Sequence, residues 1–313
     1  MIRFGIIGAG RIAKRFAKSL TYIEDAELHA ISGRNEQKMI AFREEFPCKR
    51  YCLDHDEIIS DPEIDAVYIS LPNAFHMEYA IKALEAGKAV MCEKPMAGDL
   101  EEVRRITECA AKNNVLLMEA MKSRFIPCYR QVLEHIERTG LEIKRIDITH
   151  GVIVPTDDPA RYDVSYGGVI RDIGVYGASW LNSLLHGSYH VEDQYAEYYE
   201  GSDRYVKSSI VYDNGVRCTM EIAYDRKIPS KVVITGIGET ITVDNMHRPD
   251  RYTILRDGTE EVHEVPYDRD DFFSETDEFC RLIRENRKES SIMPASSSIE
   301  IVMMTDAMRN FKK

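Results

Sequence analysis

The chain has 313 residues, 44% of them apolar, and 41 Lys+Arg against 53 Asp+Glu leave a net charge of -12. That is more chain than one hydrophobic core organises and enough apolar content to fill two, which excludes a disordered or fibrous protein and predicts two domains. The negative balance repels polyanions and so excludes nucleic acid and anionic membrane as partners, and seven scattered cysteines, an odd number, make no disulfide framework.

Met1 leads directly into the apolar Phe4-Gly5-Ile6-Ile7, with no basic or apolar leader and no run long enough to cross a bilayer, so a cytoplasmic location is expected. Short β-branched runs at 3–7, 28–32, 50–52, 66–71, 89–92 and 115–119 then alternate with helix-period stretches. In the first of these stretches Ile12, Phe16 and Leu20 form one apolar stripe beside Ala13 and Ala17, and in a later one Met77, Ala80, Ile81 and Leu84 repeat the pattern before Gly87 stops the helix. This alternation predicts βαβ units and a parallel sheet of the Rossmann type over residues 1–121. Beyond residue 122 a helix at 129–139 leads into a long strand at 143–154. Strands follow at 195–199, 206–212, 217–224, 231–235, 240–243, 252–256 and 261–265, with hairpin signals at Asp213-Asn214-Gly215 and Asp257-Gly258. Residues 122–313 are therefore expected to form an α+β domain around a large, mainly antiparallel open sheet, closed by a helix through Phe272, Thr276, Phe279, Cys280 and Ile283. A second closing helix is expected to be capped by Ser297 with Glu300.

Gly8-Ala9-Gly10-Arg11-Ile12-Ala13 follows the first strand and opens a helix, the context that a dinucleotide-binding G-x-G-x-x-G/A element requires. Gly8 permits the tight turn, Gly10 lets the backbone approach a diphosphate, and the N–H groups at Arg11 and Ile12 face it with the helix dipole behind them. At the tip of the second strand, Ile31-Ser32-Gly33-Arg34-Asn35 carries no carboxylate to accept from ribose hydroxyls. Ser32 and Arg34 suit a 2'-phosphate, which favours NADP(H) over NAD(H), although an arginine in a turn also fits plain solvation. The strand at 89–92 ends in Glu93-Lys94-Pro95, at the edge where parallel sheets bind ligands; a lysine held there by a cis-capable proline can set an ammonium against a substrate oxygen, and a surface lysine reads the same way.

The order Gly8-x-Gly10-x-x-Ala13, Pro72-Asn73-x-x-His76, Glu93-Lys94-Pro95, Met118-Glu119-Ala120, Arg124-Phe125-Ile126-Pro127 and Tyr166 through Tyr176 resembles the Gfo/Idh/MocA oxidoreductase family. The resemblance implies an NAD(P)-dependent dehydrogenase acting on a hydroxyl or carbonyl carbon of a sugar, cyclitol or related diol. It implies that Lys94 is the catalytic lysine, and that Glu93, Leu71, Pro72, Asn73 and His76 lie beside the cofactor. It further implies that Asp172 and Tyr176, with Arg124, make the substrate site, and that the open face of the second sheet pairs two copies into a homodimer. Many members carry histidine where this chain has Tyr176, and the dihydrodiol dehydrogenases have an aromatic residue where it has Lys122, so neither an inositol nor an aromatic diol is singled out. A catalytically inactive dinucleotide-binding sensor or repressor of the same fold is the alternative.

On a helix, Asp172 and Tyr176 share one face. A phenol is a poor base at neutral pH, but a neighbouring ammonium stabilises phenolate, so Tyr176 beside Lys94 can exchange the hydroxyl proton while Asp172 orients the substrate. Tyr162, Arg161, Asp157, Asp158, His247 and Arg248 are outlying candidates for substrate contact. Cys48, Cys52 and His55 have metal-ligand chemistry without a fourth partner, and no metal is expected.

Overall fold

Strands that must be buried on both faces read as continuous apolar runs, and those at the start of this chain are such strands. The computed structural model describes residues 1–159 and 161–311. β1 (Ile2–Ile7), β2 (Ala26–Ser32), β3 (Arg50–Cys52), β4 (Ala66–Ile69), β5 (Ala89–Glu93) and β6 (Leu117–Ala120) form one sheet in the order β3-β2-β1-β4-β5-β6. All pairs are parallel. The intervening helices are α1 (Arg11–Leu20), α2 (Glu36–Glu45), α3 (Asp56–Ser60), α4 (His76–Glu85) and α5 (Leu100–Asn113). This is the Rossmann order expected. α1 buries Ala13, Phe16, Ala17 and Leu20; the Phe16 ring stacks on Tyr68 at 3.8 Å and meets Phe4 edge-on at 5.5 Å.

The chain divides into two units, Met1–Lys122 with Asp268–Ile299, and Ser123–Tyr267 with the stretch from Glu300. The sequence pattern suggests one boundary near residue 122, whereas the chain returns to the first unit for 268–299. The physical reason is α8 (Phe273–Arg284), whose buried Phe279 reaches the Phe4 ring at 6.1 Å, an apolar stripe that a sequential cut leaves without a partner. α9 (Ala295–Arg309) starts two residues before the expected cap. The Glu289 carboxylate instead accepts from the Ala295 N–H at 2.7 Å, and Glu300, inside the helix, bonds Asn182.

In the second unit, α6 (Pro127–Thr139), β7 (Ile143–Ile153) and α7 (Val175–Leu184) precede seven strands. These are β8 (Tyr189–Tyr199), β9 (Ser202–Tyr212), β10 (Arg217–Ala223), β11 (Asp225–Gly236), β12 (Glu239–Asp244), β13 (Arg251–Arg256) and β14 (Thr259–Glu264). The eight-stranded sheet runs β14-β13-β12-β11-β7-β10-β9-β8 and is antiparallel except where β10 lies parallel to β7. Asp257 and Gly258, both at positive φ, make the expected tight hairpin, and Glu200-Gly201 makes another that the sequence reading passed over. One sheet face is polar, with Arg145 paired to Asp147 and Lys207 to Glu221. Among the described residues, no helix is long and apolar enough to cross a membrane.

Glu275 on α8 is 1% exposed, and neither carboxylate oxygen has a hydrogen-bond partner. Burial, then the charge of Glu93, pushes its pKa well above the ordinary carboxylate value. A carboxyl whose folded pKa is raised favours folding below the unfolded pKa and loses that contribution as pH rises. Glu275→Gln is therefore expected to melt a few degrees above the parent protein at pH 8 and by a smaller margin at pH 5. Thermal unfolding at the two pH values measures this; an equal shift at both would show that Glu275 stays ionised.

Candidate functional site

In the first unit the predicted cofactor residues gather on the carboxyl edge of the parallel sheet. Gly8 sits at φ +99°, and a Cβ there would stand 3.0 Å from the Ser70 carbonyl oxygen, whereas one on Gly10 would meet nothing within 4 Å. The backbone thus turns tightly at Gly8 and leaves open space before Gly10. Gly10 is the N-cap of α1 without a side-chain cap, and no acidic residue occupies the first turn. Free N–H groups and the positive end of the helix dipole therefore face that space, and exposed Arg11 and half-buried Ile12 flank it. Ala13 is fully buried, as close helix–sheet packing requires. These residues fit a dinucleotide diphosphate.

At the tip of β2, Arg34 is exposed and no carboxylate precedes it, as expected. Ser32 has partners of its own. Its hydroxyl is fully buried, 2.8 Å from His55 Nδ1 and 3.4 Å from the Ile6 carbonyl, because β2 packs its last residue against the loop before α3. Among the two candidate phosphate ligands only Arg34 is presented.

His76 is engaged as well. It is 1% exposed, with Nδ1 2.9 Å from the Pro95 carbonyl and Nε2 2.8 Å from the Leu71 carbonyl. It straps the loop of Leu71, Pro72 and Asn73 to the turn after β5, and burial holds its pKa below the ordinary value. The Lys94–Pro95 peptide is cis. Half-buried Lys94 directly follows Glu93, whose Oε1 accepts from the Tyr68 hydroxyl at 2.5 Å and whose Oε2 accepts from the Lys94 N–H at 3.1 Å. Burial raises the Glu93 pKa against the opposing pull of Tyr68, Lys94 and Lys122. Lys122 is 3.0 Å from Asp271 and lies over the Phe272 ring, and Arg15 pairs with the same carboxylate. Sequence reading did not find Tyr68 or Asp271, which come from far along the chain.

In the second unit Asp172 and Tyr176 lie on one continuous helical segment, but not on a plain α-helix: Ile170–Gly174 forms a π-turn that runs into α7. Such turns recur at functional sites. The Tyr224 hydroxyl donates to Asp172 Oδ2 at 2.8 Å, and Arg161 Nε stands 3.7 Å from the same oxygen. Tyr224, seen in the sequence only as the end of a strand, therefore orients the carboxylate. Asp203 holds the turn that starts this segment; it accepts from the Ile170 N–H at 2.8 Å, and a Cβ on Gly168 would be 2.4 Å from its Oδ1. Gly177 lets α7 approach β10, since a Cβ there would be 2.6 Å from Met220 Cε.

Tyr176 is 9% exposed, and its ring centre is 5.5 Å from that of His247. His150, absent from the predicted set, meets His247 edge-on at 4.9 Å. Arg124 is engaged within the unit. It is 3% exposed and donates to Ser179 Oγ at 2.8 Å and to the Ser179 carbonyl at 3.1 Å, so it fixes α7 from within. Tyr162 is buried, with its hydroxyl 3.3 Å from the Val154 carbonyl. Cys48, Cys52 and His55 engage separate partners: the Arg50 carbonyl, the Arg50 guanidinium and Ser32. Among the described residues His29, Asp61 and Glu63 do bring three possible ligand atoms within 4.8 Å, but Arg50 and Lys49 already pair with the two carboxylates. A cavity of about 800 Å³ between α6 and the β13–β14 edge contains none of the predicted site residues.

Residues 2–121 match the family described as "Oxidoreductase family, NAD-binding Rossmann fold", the GFO_IDH_MocA family. The chain is 32% identical to scyllo-inositol 2-dehydrogenase (NADP(+)) IolU of Bacillus subtilis, over 93% of this chain and 90% of that one. It is 25% identical to trans-1,2-dihydrobenzene-1,2-diol dehydrogenase of Xenopus laevis, over 97% and 96%. Among solved structures, KijD10, a 3-ketoreductase from Actinomadura kijaniata in complex with NADP and TDP-benzene, shares the fold with a TM-score of 0.89 at 22% identity, covering 98% of this chain and 97% of that one.

Gly8→Ala is expected to weaken NADPH binding about tenfold or more, because a Cβ at positive φ costs about 1–2 kcal/mol before the Ser70 carbonyl is met. Fluorescence titration checks this, and an unchanged dissociation constant would remove the turn from the cofactor site.

Proposed function

From the premise that this chain belongs to the Gfo/Idh/MocA family and is an NAD(P)-dependent oxidoreductase, we propose that it transfers hydride between NADP(H) and a CH–OH carbon of a sugar, cyclitol or related diol. The observation that carries the proposal is that the Gly8 turn and Lys94 share one sheet edge, at the carboxyl ends of β1 and β5 with only β4 between them. A bound nicotinamide supplies the hydride acceptor or donor at that edge.

The residues of the chain then have separable tasks. Gly8, Gly10 and the first turn of α1 hold the diphosphate, and Arg34 takes the 2'-phosphate. The Lys94 ammonium stabilises negative charge growing on the substrate oxygen as the hydroxyl proton departs. Tyr176 accepts that proton in oxidation and returns it in reduction. Asp172, held by Tyr224 and Arg161, accepts from a neighbouring substrate hydroxyl. The relative from Bacillus subtilis, named for scyllo-inositol and NADP(+), supports a hydroxyl-rich ring as substrate and NADP as cofactor. We also propose a cytoplasmic homodimer paired through the polar face of the eight-stranded sheet.

The defining experiment titrates the purified protein with NADPH and NADH and then follows nicotinamide absorbance with a panel of polyols and aldoses. Cofactor binding without turnover of any member would sink the dehydrogenase reading and favour the sensor. Arg34→Ala is expected to raise the NADPH dissociation constant about 10- to 100-fold, as loss of a charged hydrogen bond does, with NADH little changed. An equal loss for both cofactors would assign Arg34 elsewhere. Lys94→Ala should retain cofactor binding and lose about 10²- to 10⁴-fold in kcat; turnover at the parent rate would refute its role.

A further inference from the structure

We propose that His247, backed by His150, relays the catalytic proton between the Tyr176 phenol and solvent. The inference rests on Tyr176 acting as the proton-exchanging group proposed above, and it adds the path by which that group is reset.

Oxidation of a hydroxyl produces one hydride and one proton. The hydride leaves carbon for the nicotinamide, the substrate O–H proton goes to the tyrosine oxygen, and the tyrosine must give up its own proton in the same step or just before it. A free phenol, with a pKa of about 10, holds that proton too firmly at neutral pH, whereas an imidazole, at about 6.5, accepts and releases one there. Tyr176 is only 9% exposed, so bulk water has little access to it.

The second unit sets an imidazole against this phenol. His247, just after β12, has its ring centre 5.5 Å from that of Tyr176, inclined at 46°, which makes the imidazole the phenol's aromatic neighbour. His150, on β7, stands 4.9 Å beyond at 68°. Both imidazoles are half-buried where the phenol is buried, so each is more exposed than the phenol. Three separate elements bring the rings together: α7, β7 and the segment following β12. The last is pinned where the Trp180 indole donates to the Met246 carbonyl at 2.8 Å and Met246 N–H donates to Ser230 Oγ at 3.0 Å. His247 is thus held beside the phenol by its backbone.

In the forward direction the substrate hydroxyl proton moves to Tyr176 oxygen as the Tyr176 proton moves to a His247 ring nitrogen. His247 then passes one proton to solvent, past His150, and returns to neutral. In reduction each transfer runs backwards. No group beyond the substrate, the nicotinamide and water is required.

The test uses the full-length protein, NADP⁺ and whichever panel member the parent enzyme oxidises. His247→Ala is expected to lower kcat about 10- to 100-fold, with KM and the NADPH dissociation constant within about twofold of the parent. Added free imidazole should recover part of that loss. His150→Phe, which keeps a ring and removes the nitrogens, should give a smaller loss. A His247→Ala enzyme at the parent rate, or one whose loss imidazole does not relieve, overturns the relay while leaving hydride transfer intact. If His247→Ala does not fold, His247→Gln decides: a fall in kcat at constant KM supports the relay and an unchanged kcat refutes it. Absence of turnover by the parent enzyme with every panel member overturns the proposed function and the relay together.

Discussion

Backbone at the tip of β1 has almost no room, and much of the first unit follows from that. The Gly8 N–H donates to the Ser32 carbonyl at 3.0 Å, while Ser70 N–H donates to the Ile7 carbonyl at 2.9 Å and Ser70 Oγ to the Gly8 carbonyl at 3.3 Å. The turn is therefore clamped by the strands on both sides, in a conformation that any side chain would disturb. A rigid turn at that point fixes where α1 begins, and hence where its uncapped N–H groups aim. The same parallel register carries Pro72 and Lys94 to that edge, and His76 ties their two loops through the Leu71 and Pro95 carbonyls. The lysine is consequently placed by the same sheet that places the diphosphate turn.

Electrostatics beneath this edge are unusual for a fold-stabilising core. Glu93 and Glu275 are both pushed up by burial, and the charge of Glu93 adds to burial in disfavouring ionisation of Glu275. Opposing them are Lys122 and Arg15, which gather on Asp271 and hold that carboxyl below its usual value although burial alone would raise it. Lys122 therefore belongs to a buried ion cluster of the first unit.

Much of this was legible because the signals are local. Gly8, Gly10 and Ala13 sit within one strand-to-helix turn, the six apolar runs appear in the order of the six strands, and Asp257-Gly258 makes its hairpin from two adjacent residues. What was not legible depends on partners distant in sequence. Ser32 and Arg34 look equivalent as phosphate ligands until His55 claims the serine hydroxyl. Arg124 stands in the substrate set that the resemblance implies, with no sign in the sequence that Ser179, far along the chain, accepts from it. Tyr224 and Asp203 carry no motif, and their parts in fixing Asp172 and the Gly168 turn come from strand register. The Glu289 cap on α9 likewise needs a loop that no helix-start rule describes. Phe279 gave a correct helix but no indication that its stripe returns to the first unit.

The second unit shows why a pair of residues at a favourable spacing is insufficient as a site. Asp172 and Tyr176 would share a face on any regular helix, yet most such pairs in proteins are solvated. Here the segment begins in a π-turn whose first N–H groups are held by Asp203, its carboxylate is fixed by Tyr224, and its body lies against β10 because Gly177 admits Met220. Arg124 secures the middle of α7 at Ser179. Each constraint removes conformations in which the carboxylate or the phenol would turn towards water, so the entropy of orienting them is already lost on folding and need not be lost again on binding substrate. The orientation of these two side chains is thus prepared by residues elsewhere in the unit, and it is their register across the sheet, more than the spacing of Asp172 and Tyr176, that sets the pair.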